Sequence, residues 1–130
     1  MIERIVENVV RDRLRTHGAV LLEGAKAVGK TTTALRLAAS AVRLDRDAPA
    51  RQAAQIDPDL VLDGAPPRLI DEFQLAPGIW NAVRGRVDDA GEKGLYLLAG
   101  SATPADEPTS HSGAGRIARV PMRTLTFFER

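Results

Sequence analysis

Residues 19–32 read Ala19-Val20-Leu21-Leu22-Glu23-Gly24-Ala25-Lys26-Ala27-Val28-Gly29-Lys30-Thr31-Thr32: an apolar run, a loop bounded by glycines, then a lysine and two threonines. The run Ala19 to Leu22 is short, unbroken by polar residues and stopped by Gly24, which predicts a strand buried on both faces in a parallel sheet. From Thr31 to Ala41 the chain is rich in Ala and Leu and lacks Gly and Pro, which predicts a helix. Between them stands Gly-x4-Gly-Lys-Thr at 24–31. Gly24 and Gly29 let the backbone wrap closely around an anion and turn several N–H groups inward. Lys30 then supplies a cation to the β and γ phosphates, Thr31 offers a hydroxyl to Mg²⁺, and the helix aims its positive end at the same place. The expected contact set is Gly24, Ala27, Val28, Gly29, Lys30, Thr31 and Thr32. The plain alternative is a glycine-rich turn with a solvated lysine. A loop that follows a strand and opens a helix favours the phosphate reading.

Outward from this loop the pattern alternates. Upstream, Ile2, Ile5, Val6, Val9, Val10 and Leu14 recur on one face of an amphipathic helix over residues 2–16, ended by His17-Gly18. Downstream, a strand is expected at Val42 to Asp45, a weak Ala-rich helix near 48–55 and a turn at Asp57-Pro58. Pro66-Pro67 leads into the strand Arg68-Leu69-Ile70-Asp71-Glu72. From Pro77 the residues Ile79, Val83 and Val87 mark a helix as far as Gly91, and Leu95 to Leu98 form a further buried strand. Residues 102–115 are loop-like in composition, before apolar character resumes at Ile117 to Val120 and Leu125 to Phe128. Strands alternating with helices at this spacing imply right-handed crossovers and a three-layer α/β fold with a parallel sheet.

A triphosphate site needs a carboxylate for magnesium and a group that orients the attacking water. Asp71-Glu72 suits both, because apolar Leu69 and Ile70 bury the strand and leave the two acids at its carboxyl end, where ligands sit in open α/β sheets. Asp71 is read as the magnesium partner and Glu72 as the base, against the alternative that Glu72 is a solvated loop residue. Ser101 follows the strand Leu95 to Leu98, where a polar side chain can sense the γ phosphate or the lytic water, although serine after glycine is also ordinary turn chemistry. Arg116, with Arg119, brackets the next apolar segment and is a candidate for stabilising transition-state charge. His17 and His111 have no second ligand at metal-site spacing. Asp88-Asp89 and Asp57-x-Asp59 read as water-exposed acids. Trp80 and Phe127-Phe128 read as core or interface aromatics rather than base-stacking platforms.

Bulk properties limit the alternatives. With 130 residues the chain has room for one core. Its 44% hydrophobic and 27% charged residues are the balance of a folded domain rather than a disordered tail. The formal charge of +1 provides no global attraction for nucleic acid or an anionic membrane. The absence of cysteine excludes disulfides and thiolate metal sites. The apolar runs are too short to cross a bilayer, and the start does not read as a secretion signal, so a cytoplasmic location is the default expectation.

The order of these motifs resembles the AAA+ type P-loop ATPases, and within them a bacterial group of poorly characterised ATP-binding proteins. That group typically writes Gly-x-Arg-Gln-x-Gly-Lys-Thr-Thr, Asp-Glu-x-Gln, Thr-Gly-Ser, Gly-Arg and a segment ending in Glu. This chain has Gly24 to Thr32, Asp71-Glu72-Phe73-Gln74, Ala99-Gly100-Ser101, Gly115-Arg116 and Leu125-Thr126-Phe127-Phe128-Glu129. Lys26 and Ala27 stand in place of Arg and Gln, and Ala99 replaces a threonine of the sensor motif. The resemblance implies a P-loop NTPase fold with strand order 5-1-4-3-2, Mg-ATP as ligand and ATP hydrolysis. With the amphipathic helix taken as 1–17, the resemblance, which runs from about residue 18, also implies that 18–130 is a truncated ATPase core, since the group continues into a nuclease-like carboxyl-terminal domain. Expected partners are a nucleotide, with self-association or a missing C-terminal domain. The rival readings are a nucleotide-binding module without independent hydrolysis and a small-molecule kinase. The sequence Asp71-Glu72-Phe73-Gln74 favours water over a kinase acceptor, and the lack of Asn-Lys-x-Asp favours adenine over guanine.

Overall fold

In the computed structural model, residues 2–24, 30–100 and 117–121 are described. Helix α1 (Ile2–Thr16) precedes strand β1 (Ala19–Glu23), followed by α2 (Lys30–Leu37), β2 (Ser40–Arg43) and α3 (Ala48–Ile56). Then come β3 (Arg68–Asp71), α4 (Gly78–Ala90), β4 (Tyr96–Gly100) and β5 (Ile117–Pro121). Short 3-10 turns lie at Pro58–Val61 and Phe73–Leu75. The strands form one sheet in the order β2-β3-β4-β1-β5, every neighbouring pair parallel, which is the expected order 5-1-4-3-2 read from the other edge.

Because side chains alternate along a strand, the sheet has two apolar faces. Val20, Leu22, Leu69 and Leu97 face a cluster with Val10 of α1 and Ala34 of α2. Leu21, Ile70 and Leu98 face the other cluster with Ala54 of α3 and Ile79, Trp80 and Val83 of α4. Helices on both faces of a parallel sheet are the three-layer arrangement that the uninterrupted apolar strands require. Side-chain ties fix the layers: Arg36 of α2 pairs with Glu7 of α1, Tyr96 Oη donates to Leu62 O at 3.0 Å, and Arg86 Nη1 donates to Asp63 Oδ1 at 2.8 Å. Asp47 caps α3, its carboxylate accepting from Ala50 N at 3.0 Å.

Several local expectations are corrected. The helix expected over Thr31 to Ala41 ends at Leu37, and the following strand is Ser40–Arg43 rather than Val42 to Asp45. Good helix formers continue past Leu37, but pairing of Ser40 with Arg68 and Ala41 with Leu69 draws the chain into the sheet, so tertiary pairing overrides propensity. Ile5, placed on the buried face of α1, is 59% exposed, whereas Val10 is fully buried. The strand expected to include Glu72 stops at Asp71. The turn expected at Asp57-Pro58 is present as the start of a 3-10 turn, with Asp57 accepting from Asp59 N. Asp59 is not merely hydrated, since its Oδ1 accepts from Arg86 Nε at 3.1 Å.

Gly18, between α1 and β1, is buried, and a Cβ there would run into Val87 Cγ1, meeting Cγ2 at 2.8 Å and Cβ at 3.0 Å. Valine is branched at that carbon and has no free rotamer to retreat into. Gly18→Ala is expected to cost about 1–3 kcal/mol by overpacking, read as a lower urea midpoint with unchanged m-value.

Candidate functional site

The carboxyl ends of β1, β4 and β3 lie level, Glu23 beside Gly100 and Ala99 beside Asp71. Gly24 leaves β1 with φ 153°, a conformation that L side chains rarely adopt, so glycine is required where the chain turns out of the sheet. The chain resumes as α2 at Lys30. Thr31 then reaches across β4 to β3: its Oγ1 donates to Asp71 Oδ1 at 3.2 Å and to Oδ2 at 3.3 Å. Residues forty positions apart are thus joined at the edge of the sheet.

Asp71 is 1% exposed. Its pKa is raised, first by burial and then by the charge of Glu72, with a smaller push from Asp45, while the Thr31 hydroxyl and Arg43 pull it down. Among the described residues, two carboxylates and one guanidinium act on this buried carboxylate. Arg43 Nε, on the neighbouring strand, stands 3.5 Å from Asp71 Oδ2.

Glu72 is buried at 3% exposure, which excludes the solvated alternative. It sits in the left-handed region at φ 57° and ψ 47°, which costs a residue with a Cβ about 1–3 kcal/mol. This turn explains why the strand ends one residue early: it breaks the ladder and redirects the Glu72 side chain. There Glu72 Oε1 accepts from Gln74 Nε2 at 2.7 Å. Gln74 and Phe73 close over Gly100 of β4, where any Cβ would run into Gln74 Oε1 and meet Phe73 Cε1 at 3.1 Å.

Gly24, Thr31, Asp71 and Glu72 are therefore collected at one end of the sheet, and Thr32 is exposed on α2 near them. Lys30 begins that helix. Ala27, Val28, Gly29, Ser101 and Arg116 lie outside the described residues. Arg119, the companion of Arg116, is engaged elsewhere: its Nη1 donates to Glu23 Oε2 at 3.0 Å and its Cζ lies 5.7 Å from the centroid of Trp80. Trp80 is core, as expected, tilted against Phe73 at 6.2 Å.

A family model described as an AAA domain matches residues 16–130. The chain belongs to the AAA domain family. Two curated relatives, uncharacterized proteins of Mycobacterium bovis and Mycobacterium tuberculosis, are each 34% identical over 121 residues. That alignment takes in 90% of this AAA domain chain and 27% of each relative, so the chain spans about a quarter of the length of the curated relatives it matches. Among solved structures, that of C. elegans PCH-2 is similar with a TM-score of 0.43 and 14% identity, over 92% of this chain and 41% of that one. A likeness of that size carries nothing further. Membership supports a nucleotide-binding, ATPase-type domain. Among the described residues no helix is long and apolar enough to cross a membrane.

The donor set also fits the magnesium ion that accompanies such nucleotides. Magnesium takes hard oxygen ligands, commonly one or two from protein with water and phosphate completing the octahedron. Thr31 and Asp71 bring a hydroxyl and a buried carboxylate together at 3.2 Å. Sequence reasoning about this AAA domain missed Arg43 and Asp45. The only available signal was the pairing of β2 with β3, and with the strand misplaced by two residues Arg43 was not seen as its last position.

Proposed function

We propose that this AAA domain binds Mg-ATP between the loop Gly24 to Thr32 and the Asp71-Glu72 pair, and hydrolyses the γ phosphate. The observation that carries the reading is the Thr31–Asp71 hydrogen bond, because it brings a phosphate-loop hydroxyl and a buried carboxylate to one point. Bound magnesium would neutralise charge on the β and γ oxygens. Lys30 adds a second cation to the same oxygens, and the backbone N–H groups at the start of α2 add the helix's positive end. Asp71 and Thr31 would hold the cation. Glu72 accepts the proton of the attacking water, its carboxylate kept in place by Gln74. Ser101 and Arg116 are assigned γ-phosphate sensing and stabilisation of transition-state charge, respectively. Residues 18–130 are read as the ATPase core, with 1–17 as a helix laid against it, acting in the cytoplasm.

Phosphate release from ATP labelled at the γ position, under single turnover with protein in excess, tests this directly. Release well above the buffer rate is expected. ATP that binds but is released intact would sink hydrolysis by this chain and leave a nucleotide-binding module.

A further inference from the structure

Strand β2 ends in Arg43, in register with Asp71 on β3. The Arg43 side chain is two-thirds covered, with 33% of its surface exposed, and its Nε is buried 3.5 Å from Asp71 Oδ2. That Nε makes no hydrogen bond among the described residues. An arginine kept to lock a carboxylate in place would present its fork and donate two parallel bonds. Here the contact is one of charge at ion-pair distance, without directional bonding from Nε.

The surrounding charges show what such a contact does. Glu72 and Asp45, near the carboxyl ends of β3 and β2, act electrostatically on Asp71, and among the described residues Arg43 acts on it with the opposite sign. A carboxylate 1% exposed cannot stay ionised without compensation. We propose that Arg43 is the resident counter-charge of Asp71: it compensates the carboxylate while no metal is bound and so sets how tightly a divalent cation is held there. Arg43 is thus a positioning residue for the cation, weakening metal binding in proportion to its charge. The inference rests on the reading of Asp71 as the magnesium carboxylate.

The test is the affinity for ATP measured by calorimetry in excess Mg²⁺ and again in EDTA, whose ratio reports the contribution of the metal. Arg43→Met is expected to raise that ratio about ten-fold, the effect of removing one charge a few ångströms away at a partly screened site. Affinity in EDTA should stay near the wild-type value. Arg43→Lys, which keeps the charge, should lie within about two-fold of wild type. A purely structural role would move the melting temperature of Arg43→Met and not the ratio. If the methionine variant does not fold, Arg43→Gln provides the same comparison. An unchanged or smaller ratio in the neutral variants, or equal ratios for lysine and methionine, overturns the proposal. Asp71→Asn separates the two readings: a wild-type ratio it abolishes upholds Asp71 as the metal carboxylate, so a failure at Arg43 then falls on Arg43 alone. A ratio indifferent to Asp71→Asn overturns both.

Discussion

Lys30→Ala is expected to abolish ATP binding in calorimetry, with affinity falling by roughly a hundred-fold or more, since each charge-assisted bond to a phosphate contributes about 1.5–3 kcal/mol. Lys30 is the first residue of α2, one position before the threonine that touches Asp71, at the end of the helix where its positive pole lies. Removing its ammonium takes away the charge that a triphosphate needs most and leaves the helix intact, because alanine is the better helix former. An unaltered melting temperature without nucleotide should accompany the loss. If ATP affinity were unchanged, the loop from Gly24 to Thr32 would not be a phosphate site, and the reading of Asp71 and Glu72 would lose its foundation.

Glu72→Gln should have the opposite signature: ATP affinity within about two-fold of wild type and single-turnover phosphate release slowed about 10²–10⁴-fold, the range for loss of a general base. The substitution is clean for reasons visible in the structure. Glutamine keeps the length of the side chain and an oxygen able to accept from Gln74 Nε2, and it meets the same left-handed backbone cost as glutamate. What changes is the capacity to take a proton from water. Equal rates in the two proteins would remove Glu72 as the base. Protection of ATP-loaded Glu72→Gln against thermal unfolding would show at the same time that its site is filled.

The parallel sheet was legible because Leu21, Leu69 and Leu97 lie in short apolar runs that read as buried strands, with the motifs at 24–31 and 71–72 directly after two of them; its order came from the resemblance to the AAA+ ATPases. The meeting of Thr31 with Asp71 follows from that order, since β4 alone separates their strands. Three features were not legible. The left-handed turn at Glu72 has no sequence mark, because glutamate is not a residue that prefers positive φ. The burial of Glu72 at 3% exposure has no mark in the sequence either, and the residues after it, Phe73 and Gln74, pack on Gly100, a contact between segments well apart in sequence. Arg43 was hidden by helix propensity: Ala38, Ala39 and Ala41 favour a longer α2, and pairing with Arg68 and Leu69 on β3 ends it. Each failure is a case of distant partners deciding a local conformation.

The position of β4 also governs when the site can come into being. Thr31 and Asp71 belong to segments made early, but the strand that spaces them, Tyr96–Gly100, is made after both and inserts between β1 and β3. Until it does, the ends of β1 and β3 have no shared frame, and the hydroxyl and carboxylate have nothing to fix their separation. As the chain leaves the ribosome, competence to hold a nucleotide should therefore arrive in a single step, once the residues through Gly100 are free to pair, rather than growing with each helix and strand added.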